Sequence, residues 1–413
     1  MVFRGYVQAI NLVLLSILTP ALLSCGVNGD NAQQGSTSET SSLHLYPVDI
    51  DGKYGFIDED GNLKFTLPDD VYTIGDFSEG LAVVAKRVPN THGRWGYIDQ
   101  TGKVVIENKF NLAKTFSEGL AAVIVSEQTG SPGGKIGYID RTGRMIIQPR
   151  FDQAGVVSDY AFSEGLAAVP LTHAKWGYID KTGKFVIEPK FHVALPFSEG
   201  RAIVGIAEPD YAQPKYGIID KQGRWIVEPQ YESVAEFSEG LAAIVLGDKV
   251  GFIDPQGKMA IKPQFDDYPQ CPDSERVNRF SEGLTPVALN GKWGFIDRSG
   301  KWVINRAFDC AMPFSQGLAL VGVRDVNGRW LFGYVDKTGR TVIKPQFSQA
   351  HSFIGKLARV WIGMSENEVL LKALEDHQAG KSKEEIEKYL ESNKPKYGFI
   401  DQTGKFVWKQ TQR

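Results

Sequence analysis

Two kinds of carboxylate recur along this chain at fixed spacing, and a ladder of carboxylates is an arrangement that could hold hard cations. One is an Asp closing a short aromatic-Gly-aromatic-Ile-Asp string, at Asp58, Asp99, Asp140, Asp180, Asp220, Asp254, Asp297, Asp336 and Asp401, with small variations. The other is the Glu of a Phe-Ser-Glu-Gly block, at Glu79, Glu118, Glu164, Glu199, Glu239 and Glu282, with Gln316 in its place in one copy. Asp58-Glu59-Asp60-Gly61-Asn62 has the look of a calcium loop but lacks the Glu that ends one. Each has a plainer explanation. Every Asp of the first kind begins an Asp-x-x-Gly turn, where Asp can bond the backbone ahead of it and Gly can take the left-handed conformation. Gln316 at the second position indicates that an acceptor oxygen suffices there. Neither a metal site nor a cofactor is expected. Catalytic signatures are missing too: the six His are scattered, and there is no HExxH, Ser elbow, CxxC pair or strand-GxxxxGK[ST]-helix. Lys181-Thr182-Gly183-Lys184 is a hairpin turn and not a phosphate loop. The expectation is a protein that is not an enzyme.

The elements that must carry these residues form a repeat. The core string occurs nine times, for example as KYGFIDEDG from Lys53, RWGYIDQTG from Arg94, KWGYIDKTG from Lys175 and KYGFIDQTG from Lys396. In the copy from Lys175, the strand alternation puts Trp176, Tyr178 and Asp180 on one side and Gly177 and Ile179 on the other. Gly177 reads as a place where a neighbouring ring approaches closely, because a bare strand Gly is otherwise costly. The run 183–189, with Val186 and Ile187, is a second strand, and the Gly-Leu-Ala-Ala-Val run after Phe-Ser-Glu-Gly is a third. One unit is therefore a three-stranded antiparallel meander, and nine fit between Leu45 and Lys409. The composition agrees: 44 Gly with 15 Tyr and 23 Phe suits many turns between aromatic-rich strands. The connector into Phe-Ser-Glu-Gly is usually of one length, expanded only at Phe151–Phe162 and Phe265–Phe280. The loop before the Trp-Gly strand varies freely, from 246–250 to 125–135 and 205–215, and carries an insertion at 363–396.

These units resemble the WG-containing β repeats of bacteria, and the resemblance covers residues 46–413 apart from the insertion. It implies an all-β architecture and little about function. Ile136, Val250 and Phe332 stand where the repeat has Trp or Tyr, so the position needs bulk and not an indole. The expected fold is an open, curved β-solenoid or superhelix of tandem three-stranded repeats, with a β-propeller-like ring as the alternative. Propellers usually have four to eight blades of four strands, and neither terminus here begins or ends mid-unit. The insertion at 365–394 predicts a helical hairpin, with capping boxes at Ser365/Glu368 and Ser382/Glu385 and punctuation at Gly380 and Pro395. It would cover an exposed end of the stack, or dock a partner protein.

The N-terminus speaks to compartment. Arg4, the largely apolar run Ala9–Leu23 and the small residues after it read as a secretory signal, too short for a membrane span. Leu22-Leu23-Ser24-Cys25-Gly26 resembles a bacterial lipobox, which implies a signal peptide at 1–24 and lipidation of Cys25. Gly26 follows it, which in a Gram-negative cell would not hold the protein at the inner membrane, so an outer-membrane location is implied there. Residues 25–45 form a polar tether that cannot bury a core, with a root-mean-square span of roughly 20–25 Å. Cys271 and Cys310 lie in consecutive connectors, and a disulfide between them and two free thiols both stay open. Net charge is −3 with no basic block, which argues against nucleic acid. The reading is an anchored extracytoplasmic module that binds or scaffolds a protein or envelope polymer through its variable loops. The alternatives are a structural spacer of the envelope and an envelope hydrolase.

Overall fold

Unit 4 shows how local sequence sets the sheet. Its strands Phe162–Ser163, Leu166–Thr172, Lys175–Ile179 and Phe185–Phe191 pair antiparallel in chain order. Between the first two, Glu164 and Gly165 both have positive φ, 53° and 87°, the geometry of a type I′ hairpin turn. Between the last two, Asp180 N–H donates to Lys184 O and Gly183 N–H to Asp180 O, each at 2.9 Å, with Gly183 at φ 85°. That is a type I turn closed by a left-handed glycine.

The strand glycine has a different cause from the one its sequence suggests. Trp176 pairs with Phe191 but Tyr178 with Ile187, so two residues on one strand span four on the next. The surplus bulges over the glycine: a Cβ on Gly177 would lie 2.5 Å from Ile187 O and 2.8 Å from Pro189 N. Backbone, not a neighbouring ring, excludes the side chain there. A ring adds to the crowding in some copies, as Trp225 does at Gly217 and Trp302 at Gly294.

This computed structural model describes residues 44–410 apart from 90, 92, 127–133, 154–159, 173–174, 208–212, 268–270, 272–277 and 394. Cys25, the signal segment and nearly all of the tether lie outside the described residues. All nine units contain the expected three-strand meander. Most add a fourth, leading strand, in five of them only two residues long, such as Leu112–Ala113 or Val193–Ala194, too short to show as a periodic run. Among the described residues, unit 1 (Tyr46–Ile50, Lys53–Ile57, Leu63–Thr66) has no such strand. Unit 7 (Leu284–Leu289, Lys292–Asp297, Trp302–Phe308) also lacks one, and it joins unit 6 through Asp266 opposite Ala288.

Successive units pack by one repeated scheme. In most units a buried aromatic of the Trp-Gly strand meets the Phe of the next Phe-Ser-Glu-Gly block: Tyr97 with Phe116, Tyr178 with Phe197 and Phe295 with Phe314 have ring centroids 4.9 Å apart. Where that aromatic is Tyr, its buried hydroxyl donates to a backbone carbonyl of the next unit, Tyr178 to Leu195 O at 2.8 Å and Tyr334 to His351 O at 2.7 Å. The turn glycine of each unit sits on the last strand of the unit before it, Gly183 against Ile147, Gly223 against Ile187 and Gly404 against Ile343.

The same scheme joins the last unit to the first. Gly61 of unit 1 sits against Val407 of unit 9, and Tyr46 packs on Phe399 at 5.4 Å. Tyr46 Oη donates to Ile354 O at 2.8 Å, and Arg359 Nη2 to Pro47 O at 3.0 Å. Of the two arrangements the repeat allows, these contacts are those of the ring, and they leave no exposed end for the insertion to cover. The insertion itself forms helices α1 (Glu366–Gln378) and α2 (Lys383–Ser392), each opened by its expected capping box. They pack chiefly on each other, burying Val369, Ala373 and Ile386.

Candidate functional site: one latched face and one variable face

An antiparallel meander places its connections alternately at the two ends of its strands. The Phe-Ser-Glu-Gly turns and the Asp-x-x-Gly turns therefore share one face of the ring. The loops between second and third strands and the connectors between units share the other. Chemistry that repeats and chemistry that varies are separated in space.

On the first face the recurring side chains bind one another. Each Asp carboxylate is consumed by its own turn: Asp180 Oδ1 accepts from Thr182 N, Thr182 Oγ1 and Lys184 N at 2.9, 2.6 and 3.1 Å. In Asp336 the Thr338 hydroxyl and the turn amides hold the carboxyl down at about 2. Asp58, the residue of calcium-loop appearance, accepts from Asp60 N, Asn62 N and Asn62 Nδ2 at 3.0, 2.9 and 3.3 Å. These oxygens are turn acceptors.

The Phe-Ser-Glu-Gly residues link units. Ser163 Oγ donates to Phe197 O at 2.7 Å and Ser198 Oγ to Phe237 O at 2.9 Å, and the pattern runs from Ser78 to Ser315. Glu118 accepts from Gly165 N at 3.0 Å, and Glu164 from Gly200 N at 2.9 Å. The turn lysine of the next unit then pairs with the same carboxylate, Lys181 with Glu118 at 3.2 Å and Lys221 with Glu164 at 3.1 Å. Sequence reading identified Glu as an acceptor but missed the serine and the lysine. The serine's signal was present, because it recurs at a fixed place in the repeat, whereas a lysine follows the turn Asp only at 181, 221 and 337.

The second face carries what differs between units. Tight two-residue turns close three of its loops, at Asp51-Gly52, Gly247-Asp248 and Asn290-Gly291, all with positive φ. Other loops are long: 125–135 and 205–215, whose residues 127–133 and 208–212 lie outside the described set, the hairpin 324–330 and the helical insertion. The described ends of the expanded connectors 152–161 and 267–279 lie on this face as well, their residues 154–159, 268–270 and 272–277 being outside the described set. In the second of these, Cys271 is bonded to Cys310 of unit 8, with Cα atoms 5.1 Å apart and a sequence separation of 39. The extended hairpin holds Val326 fully exposed at its tip, with Arg324 stacked over Trp330 at 4.4 Å.

Fold and repeat chemistry together define a tandem β-repeat protein of the binding or scaffolding kind. Seven stretches, 95–126, 136–169, 176–206, 216–249, 251–293, 293–330 and 332–361, match the WG containing repeat, and the chain belongs to that family. No curated protein matches it in sequence. A crystal structure of a eukaryotic initiation factor is similar in fold, with a TM-score of 0.62 at 10% identity over 89% of this chain and 96% of that one. That of Kluyvelomyces marxianus Hsv2 is more distant, with a TM-score of 0.37 at 10% identity over 62% of this chain and 94% of that one, too loose a likeness to bear on the fold.

Proposed function

We propose that this protein is a non-catalytic extracytoplasmic module, held to a bacterial membrane through a lipid on Cys25, that captures a protein or an envelope polymer on its variable face. The observation that carries the reading is the segregation of the two faces. The repeated carboxylates and hydroxyls are spent on turns and on neighbouring units, while the loops that vary in length and the helical hairpin belong to the opposite side. A rigid scaffold that gathers its variable loops at one end is a common way to build a recognition surface.

The test uses the chain without its signal segment and with Cys25→Ser, as bait in envelope extracts. Intact bait should recover a partner that is lost when loops 125–135 and 205–215 are cut to Gly-Asp turns like that at 247–248. Equal recovery by intact and shortened bait would sink the loop reading and favour a spacer. The lipidated chain should fractionate with membranes and the Cys25→Ser chain should not.

A further inference from the structure

At the junction between units 9 and 1, side chains of one unit satisfy the backbone of the next. In unit 3, the second strand gives Ala122 O to Lys114 N at 2.9 Å and pairs Ile124 with Leu112, so its leading segment covers its edge. Unit 1 has no leading strand among the described residues. Counting from Leu45 as from Leu120, Pro47 and Asp49 hold the places of Ala122 and Ile124. Pro47 O accepts from Arg359 Nη2 at 3.0 Å, and Asp49 N–H donates to Tyr397 Oη at 2.5 Å. Two side chains of unit 9 thus stand where the backbone of a leading strand lies in unit 3.

Other fastenings are weaker here too. Ile354 replaces the serine that elsewhere reaches the next unit. The ion pair Lys356–Glu59, at 2.5 Å, has a lysine side chain 74% exposed, where such pairs contribute little. Arg359 stacks over Tyr397 and Phe399 at 5.4 and 5.2 Å, yet its buried Nε has no hydrogen-bond partner among the described residues, which carries a cost. The latch residues also have a particular address. Arg359 lies on Ala358–Ile362 and Tyr397 on Lys396–Ile400, the two strands that the helical insertion connects. Every other unit joins these strands by a loop without helices among the described residues.

We propose that the ring opens at this seam, with Arg359 and Tyr397 as its latch and the helical hairpin rooted between them as the element that sets how firmly it is shut. The inference is independent of whether the variable face binds anything. A long insertion between two paired strands loosens their ends relative to a tight turn, and in this unit those ends carry the latch.

Amide hydrogen exchange on the full chain tests it, because local opening is read residue by residue. Amides of Tyr46–Ile50 and Lys396–Ile400 should exchange at least about tenfold faster than those of Arg201–Ile206 and Lys215–Asp220 in unit 5, the expectation for a locally opening segment. Equal protection would overturn the seam, and this comparison needs no variant. Tyr397→Phe should speed exchange at the seam by about two- to tenfold, the worth of one hydrogen bond, and leave unit 5 unchanged. A uniform rise across all units would mean a general loss of stability and no latch. Replacing 363–395 by Gly-Asp should slow exchange at the seam by at least about threefold. An unchanged seam would remove the hairpin from the mechanism.

Discussion

At Glu164 a local cost and a distant gain can be weighed against each other. A left-handed conformation costs a residue with a Cβ about 1–2 kcal/mol, and Asn is the usual choice beside Gly in a type I′ turn. Glu holds the place in six copies and Gln in a seventh, because only a longer side chain reaches the amide of the next glycine, 2.9 Å away at Gly200. Glu164→Asn should therefore relax the turn and still destabilise the chain, by about 1 kcal/mol. That figure takes a charge-assisted hydrogen bond at about 1.5–3 kcal/mol and discounts it for a side chain 29% exposed and for the easier turn. Urea denaturation at constant m-value measures it, and a higher midpoint for the variant would show that the inter-unit bond contributes nothing.

At the scale of elements, the sequence announced whatever is local. The turn types follow from Asp-x-x-Gly and Glu-Gly, and both helices from their capping boxes, because each of these is decided within a few residues. The leading strand was hidden because two residues such as Leu112–Ala113 have no period, and the bulge because it depends on how Glu188-Pro189-Lys190 meets the strand opposite. The fourth strands are exposed edges, and Pro149, Pro189, Pro229, Pro263 and Pro345 with their flanking charges blunt them against pairing with other chains. In unit 7, where no leading strand is present among the described residues, Asn278 Nδ2 donates to Pro286 O at 2.9 Å in its stead. The disulfide ties the preceding connector to the leading strand of unit 8. Closing a loop of 39 residues removes denatured-state entropy worth about 4 kcal/mol in the chain-entropy treatment. Cys271→Ser with Cys310→Ser should lower stability by about 2–4 kcal/mol, and reductant should lower that of the parent chain equally. A double variant as stable as the oxidised parent would show that the bond constrains nothing.

For the whole molecule, the question that nine similar units leave open is closure. Each junction is written in the repeat, but whether the ninth meets the first depends on the summed rotation of every junction, which no single motif encodes. The contacts that settle it join residues 308 to 348 positions apart, such as Tyr46 with Ile354 and Asp49 with Tyr397. Closure has a consequence that separates a ring from an open array. Deleting 192–231 removes one unit and brings Phe191 directly before Glu232, so that Ser163 and Glu164 meet the block at Phe237 as they now meet that at Phe197. In an open array the shortened chain would simply lose length and keep every remaining junction. In a ring, eight junction rotations must supply the turn that nine supply now, and close-packed interfaces resist such deformation. The strain should relax at the weakest junction, the one held by Arg359 and Tyr397. Amide protection at Tyr46–Ile50 should then fall to that of an unpacked edge while units 2 to 4 keep theirs, and small-angle scattering should show an elongated particle. An eight-unit chain that keeps the Tyr46–Ile50 amides protected would mean that the junctions adapt, and that the number nine is not fixed by geometry.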